Sequence, residues 1–230
     1  MRISAQASAI IAAIAVFLGL PLLLYTLGDA PSRSVLKEAI SLLTLLAFTM
    51  MLGQFFLARS NETLLALFKP PQIQKVHKVI AYSAIAVIFL HPALIVLPRF
   101  LEGGIKPWDA FVTMVTDFGN LGIVLGLIAW VVMVVLGVTV YFRRKMIPHF
   151  KLKYRGWRYF HGALAVTVTV LALWHSIALG RHTDTAMSVF FVTLAGLGFA
   201  MLAHMYWPNL FRRAKPTPPN ADTSSEGAAT

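Results

Sequence analysis

The sequence predicts an all-α polytopic membrane protein, a bundle of six transmembrane helices. Three observations carry that prediction. Of the 230 residues 58% are hydrophobic and only 13% are charged, too little charge to cover a soluble domain of this size. Six apolar runs have the length of about 20 residues that a helix needs to cross roughly 30 Å of hydrocarbon. Finally, no stretch shows the alternating pattern of a membrane barrel, so self-satisfied helices are the way these runs can lie in lipid. The mean hydropathy of +0.73 agrees.

In order, the spans run from Ser8 to Leu27, Ala39 to Leu57, His77 to Leu97, Leu121 to Phe142, Phe160 to Leu179 and Ala186 to Trp207. The first exceeds the apolar core of about 7–15 residues of a signal peptide and is read as a helix. Pro31, Pro70–Pro71, Pro107, Pro148 and Pro208 punctuate the connections. Gly122 and Gly126 form a GxxxG in the fourth span, which reads as helix packing. The segment 214–230 is rich in Pro, Ser, Thr and Ala and is expected to be a disordered cytoplasmic tail.

Charge sets the orientation. With the N-terminus in the cytoplasm, the inner segments hold 15 basic residues: Arg2; Arg59, Lys69, Lys75 and Lys78; the dense run from Arg143 through Lys151, Lys153 and Arg155 to Arg158; and Arg212, Arg213 and Lys215. The outer loops hold five: Arg33, Lys37, Arg99, Lys106 and Arg181. This bias places both termini in the cytoplasm, in a cell membrane read as a bacterial inner membrane. The formal charge of +11 is thus loop asymmetry, and no nucleic-acid partner is implied. The chain has no cysteine, which excludes thiolate-held iron–sulfur clusters, disulfides and thiol catalysis.

The chemistry lies in the histidines. His77 and His91 are 14 residues apart in the third span, and His161 and His175 are 14 apart in the fifth. At about 100° per residue that spacing nearly closes four turns, so each pair shares one helix face with its members about 21 Å apart. The two helices run the same way, since one span reverses the chain between them. His77 therefore lies at the depth of His161 near the inner face, and His91 at the depth of His175 near the outer. Pairs of imidazoles at two levels are poor zinc ligation. A haem brings four equatorial nitrogens and needs one axial histidine from each helix. The expected cofactors are two b-type haems, the inner iron on His77 and His161 and the outer on His91 and His175, each six-coordinate and suited to electron transfer. Residues 1–213 then form a haem-binding transmembrane domain. Lys75, Lys78, Arg155 and Arg158 lie at the inner level and Arg99 and Arg181 at the outer, where propionates would want cations. Pro92 frees a carbonyl one turn before it, a local distortion beside the outer level. His182 in the outer loop, His149 in the inner loop and His204 near the inner end of the last span read as interfacial residues.

With these histidines and the approach Tyr154-Arg-Gly-Trp157-Arg-Tyr-Phe-His161, the chain resembles the ferric reductase-like transmembrane domain family from about Ala39 to Trp207. That family includes ferric-chelate reductases, the membrane part of NADPH oxidases and the haem-binding subunit of a bacterial methionine sulfoxide reductase system. The resemblance implies two stacked b haems and outward electron flow from a cytoplasmic flavin. The last span is followed by about 23 residues, fewer than the ~50 of a domain, and Gly196-x-Gly198 lies within a span rather than in a dinucleotide-binding turn. The expected donor is therefore a flavin (FMN or FAD) at the cytoplasmic face, a separate flavoprotein reductase docking on the basic loop, or quinol. The acceptor is a ferric chelate, oxygen or a periplasmic protein. The sulfoxide-reductase branch often lacks an inner histidine that is present here as His77. Two readings of other classes stay open: a histidine-lined transporter, which the spans disfavour by lacking midplane carboxylates, and a non-redox membrane subunit.

Overall fold

The computed structural model describes residues 4–149 and 154–210. Arg2, Lys151, Lys153, Arg212, Arg213, Lys215 and the segment 214–230 lie outside them. The described residues are helical with no strand, and six helices are long and apolar enough to cross a membrane.

The first of these, α1, spans Ala5–Leu27. Ser4 caps it, its side chain accepting the Ala7 N–H. Pro21 interrupts it, having no N–H to offer the carbonyl one turn back. The chain answers with a π-turn over Ala15–Gly19, in which the Leu20 N–H reaches five residues back to the Ala15 carbonyl. Ser34 caps α2, Val35–Gly53, by accepting the Lys37 N–H, with Glu38 in the first turn where the helix dipole favours an anion. A single-turn helix, α3, covers Glu62–Leu67.

The 32-residue α4 runs over Pro70–Leu101. Pro70 and Pro71 do not break the chain here; they open the helix, at positions whose N–H groups would have no partner anyway. The Gln72 side chain accepts the Lys69 N–H at 3.0 Å and completes the cap. At the other end Gly104, with φ 65°, lets the Ile105 N–H turn back onto the Arg99 carbonyl at 3.2 Å. A short α5, Pro107–Thr116, precedes α6, Leu121–Tyr141, whose Asn120 cap accepts the Gly122 and Ile123 N–H groups. After α7, Arg143–His149, come α8, Tyr154–Leu179, and α9, Thr185–Leu210, which continues through Pro208.

Apolar packing concentrates between α2 and α9. There Leu45, Phe48 and Leu52 meet Met187, Phe191 and Leu194, and Leu52 and Met187 are fully enclosed. The closest helix pairs are α6 with α8 and α2 with α4. The backbones of α4 and α8, which carry the four spaced histidines, are not among these close pairs. That separation leaves room between them for side chains and for whatever those side chains hold.

Candidate functional site: paired histidines at two levels

Of the two expected pairs, the structure brings the rings of His91 and His175 together. At the C-terminal ends of α4 and α8, the level expected from the charge bias to be outer, their ring centroids are 6.3 Å apart, with planes at 85°; the N-terminal ends form the level expected to be inner. At the N-terminal ends His77 and His161 are near enough to act on each other electrostatically. All four rings are partly buried.

At the outer level both imidazoles are held by their Nδ1 atoms. His175 Nδ1 lies 2.8 Å from the Gly122 carbonyl of α6. A carbonyl can only accept, so Nδ1 carries the hydrogen and the lone pair is on Nε2. His91 Nδ1 lies 3.4 Å from Thr44 Oγ1 of α2. The Thr44 hydroxyl donates its own hydrogen to the Ile40 carbonyl at 2.8 Å, leaving its oxygen to accept from His91. Both rings are therefore held as the tautomer that presents Nε2 as a ligand. Anchoring the far nitrogen on a carbonyl or hydroxyl is how proteins orient metal-binding imidazoles.

Gly126 makes room for this arrangement. A Cβ there would collide with the His175 ring, meeting Cε1 at 2.6 Å. A Cβ at Gly122 would meet Leu179 Cγ at 2.8 Å. The GxxxG of α6 does bring α6 and α8 close, and the close approach also seats His175. Sequence reasoning found this motif but not its second task, because the histidine lies 49 residues beyond Gly126. Thr44 gave no sequence signal at all.

The inner level is built differently. His161 Nδ1 is buried and finds no hydrogen-bond partner among the described residues. The buried Trp157 lies along its ring, centroids 6.2 Å apart at 26°. Arg143 is among the charges that act on His161. Arg155 and Arg158 turn elsewhere: Arg158 donates to Met205 Sδ at 3.3 Å and Arg155 to Tyr159 Oη at 3.4 Å. Lys75 and Lys78 are exposed. At the outer end Arg181 donates to the Pro31 carbonyl, while Arg99 is exposed in the last turn of α4.

The remaining histidines stand apart from the pairs. His182 is a member of a separate outer cluster, its ring stacked 4.1 Å from Tyr25 and its Nε2 2.9 Å from Glu38 Oε2. That separation is short, but its angle is poor for a hydrogen bond, so it is an ion-pair contact at most. His204 is exposed on α9. The side chain of His149 lies outside the described residues.

Among the described residues no three His, Cys, Asp or Glu side chains gather as a metal site. Two imidazoles suffice, however, for a metal that arrives with its own equatorial ligands. Metal–nitrogen bonds of about 2 Å and an imidazole radius of about 1.2 Å put two such rings on one metal with centroids roughly 6–6.5 Å apart. The His91–His175 spacing fits that arrangement, as do the lone pairs on Nε2 and the Nδ1 of His161, which has no partner among the described residues.

The sequence points the same way. A protein-family model described as "ferric reductase like transmembrane component" matches residues 43–172, a stretch that contains His77, His91 and His161 and stops three residues before His175. An uncharacterised protein of Archaeoglobus fulgidus is 36% identical over 173 residues, covering 75% of this chain and 92% of the relative. No solved structure matches. On its paired histidines, its six apolar helices and these two matches, the chain belongs to the ferric reductase-like transmembrane component family.

Proposed function

We propose that this multi-pass membrane protein carries electrons across the bilayer through two bis-histidine b-type haems, from a cytoplasmic flavin or flavoprotein to an acceptor on the outer face. The observation that carries the reading is the outer pair. His91 and His175 meet at 6.3 Å across two helices whose backbones stand apart, each anchored so that Nε2 is free. Two hydrogen-bonding histidines would not need that separation, and a transport path would not need both rings locked.

Bound haem supplies one-electron transfer at an iron whose six positions are filled. The residues of this chain do the rest. His77 and His161 would hold the inner group and His91 and His175 the outer. Gly122 and Thr44 fix two of the imidazoles, and anchoring of this kind raises ligand basicity. The apolar helices keep water from both levels. Arg143, with the basic stretch it begins, supports an inward-facing N-terminal end for α8 under the positive-inside rule and offers a cationic surface to an acidic reductase.

The test is a reduced-minus-oxidised spectrum with haem and flavin stoichiometry on one purified sample. The reading expects split b-type bands and two haems per chain. A colourless protein refutes it. Flavin retained on the chain would make the donor resident; two haems without flavin would make it a separate flavoprotein or quinol.

A further inference from the structure

A cluster of polar side chains that the paired histidines do not use lies at the same end of the bundle as His91 and His175. Its centre is His182, in the connection between α8 and α9. The side chain is only 9% exposed, and among the described residues neither ring nitrogen has a hydrogen-bond partner. The ring stacks on Tyr25 of α1 at 4.1 Å, and Nε2 lies 2.9 Å from Glu38 Oε2 of α2. The same carboxylate accepts the Tyr25 hydroxyl and, through Oε1, the Arg33 guanidinium at 3.0 Å. Arg33 also donates to Ser41 at 2.6 Å. The charged neighbours of His182 on its own connection turn elsewhere. Arg181 donates to the Pro31 carbonyl, and Asp184 accepts the Met187 N–H at the start of α9. Lys37 pairs with Glu102, and Asp29 is exposed. The imidazole thus faces one carboxylate, itself paired with one guanidinium.

A neutral imidazole gains little from this position, because a buried polar ring without hydrogen bonds costs free energy. A proton turns the contact with Glu38 into a charge-assisted pair. Histidine is the side chain that ordinarily changes charge between pH 5 and 8. The Glu38 side chain is 26% exposed, which gives a proton a path to His182 from the aqueous side. The cluster is also close to the paired rings. Glu38 precedes Thr44, whose hydroxyl faces His91, by six residues of α2, about 9 Å along the helix. His182 follows His175 by seven residues. At an effective dielectric near 20, two unit charges about 10 Å apart change each other's binding about ten-fold. Negative charge arriving at the paired rings therefore favours a proton on His182.

We infer that His182 is a proton-binding site coupled to electron transfer at the His91–His175 level. The inference rests on the function proposed above. One electron reduces the iron held by His91 and His175 from ferric to ferrous, and one proton from the outer solution forms an N–H bond on the His182 ring. When the electron leaves for the acceptor, that bond breaks and the proton returns to water. The test is a redox titration of the purified haem-loaded chain from pH 5 to 9, with proton uptake on electrochemical reduction read by an indicator dye. The outer couple is the one lost in His175→Ala. Its potential should fall with rising pH, by about 59 mV between the acid and alkaline limits, the equivalent of a ten-fold change in proton binding. His182→Phe keeps a ring against Tyr25 and should flatten that profile and abolish the uptake with both haems still bound. His182→Gln should do the same, whereas Arg99→Gln, an exposed charge lost at the same end, should leave the profile in place. Split b-type bands with an outer potential that does not vary with pH overturn the inference alone. So does a pH dependence that both His182 variants retain. A protein without b-type bands overturns the proposed function and the coupling together.

Discussion

The outer and inner histidine pairs share helices, spacing and residue type, yet the protein treats them differently. His91 and His175 are each held by a neighbouring helix through Nδ1, one on the Thr44 hydroxyl and one on the Gly122 carbonyl. His161 has a buried Nδ1 without a partner among the described residues and is steadied by stacking on Trp157. The outer imidazoles are oriented by the polypeptide alone. The inner level leaves a polar atom that no described residue satisfies. A shared sequence spacing therefore does not imply shared preorganisation, which comes from the neighbouring α2 and α6.

The largest break in this comparison is His175→Ala. Haem per chain should fall from two to one, with one component of the split band lost. An unchanged ratio would show that the pairing is wrong. Next is Gly126→Ala, which puts a methyl into the His175 ring. Overpacking of this kind costs about 1–3 kcal/mol, so thermal unfolding should drop and the outer midpoint potential should move while the inner stays. Gly137→Ala is the matched control, since the nearest atom to its Cβ, Ile85 Cγ2, is an ordinary 3.9 Å away. Thr44→Val removes a second partner and not a ligand. Losses of this type are about 10–100-fold in affinity, and a redox titration should show the outer couple alone displaced.

The smallest effect should come from the Lys37–Glu102 ion pair, 2.6 Å, which ties the start of α2 to the end of α4. Hydrogen bonds from Lys37 and then Ser34 hold the Glu102 carboxyl below the usual carboxylate range. A depressed folded-state pKa contributes stability above the unfolded value and loses it as pH falls through the folded one. The pair is solvent-exposed, so Glu102→Gln should barely change unfolding near neutral pH and should flatten only the acid limb of the stability profile. A large loss at neutral pH would show that the latch matters more than surface pairs do.

The six spans were legible because hydropathy reads them directly, and the histidine pairing because 14 residues nearly close four helical turns. Element ends were not legible. The third span was expected from His77 to Leu97, but α4 runs over Pro70–Leu101, since prolines at the first positions and Gln72 extend it beyond the apolar stretch. The second span shifted from Ala39–Leu57 to Val35–Gly53 because the Ser34 cap, not apolarity, sets its start. The short α3, α5 and α7 were hidden in loops for want of an apolar run. At the site, Thr44 went unseen and Gly126 was read as packing alone, because their roles arise between helices where no periodicity connects the partners; Trp157 was noted in the approach to His161 but not as a ring lying along it. Arg155 and Arg158, at the expected inner level by sequence, line the cleft between α8 and α9.

The unequal lengths of neighbouring helices have a further consequence. At about 1.5 Å per residue, the 19 residues of α2 and 21 of α6 measure roughly 28 and 32 Å, while the 32 of α4 measure about 48 Å. Bilayer thickness will therefore act on α2 and α6 first. In a thicker sterol-like membrane those two fall short and lipid must thin around them, while α4 still reaches both surfaces. Because α2 and α6 are also the helices that carry Thr44 and Gly122, membrane thickness becomes a mechanical input to the imidazoles of His91 and His175.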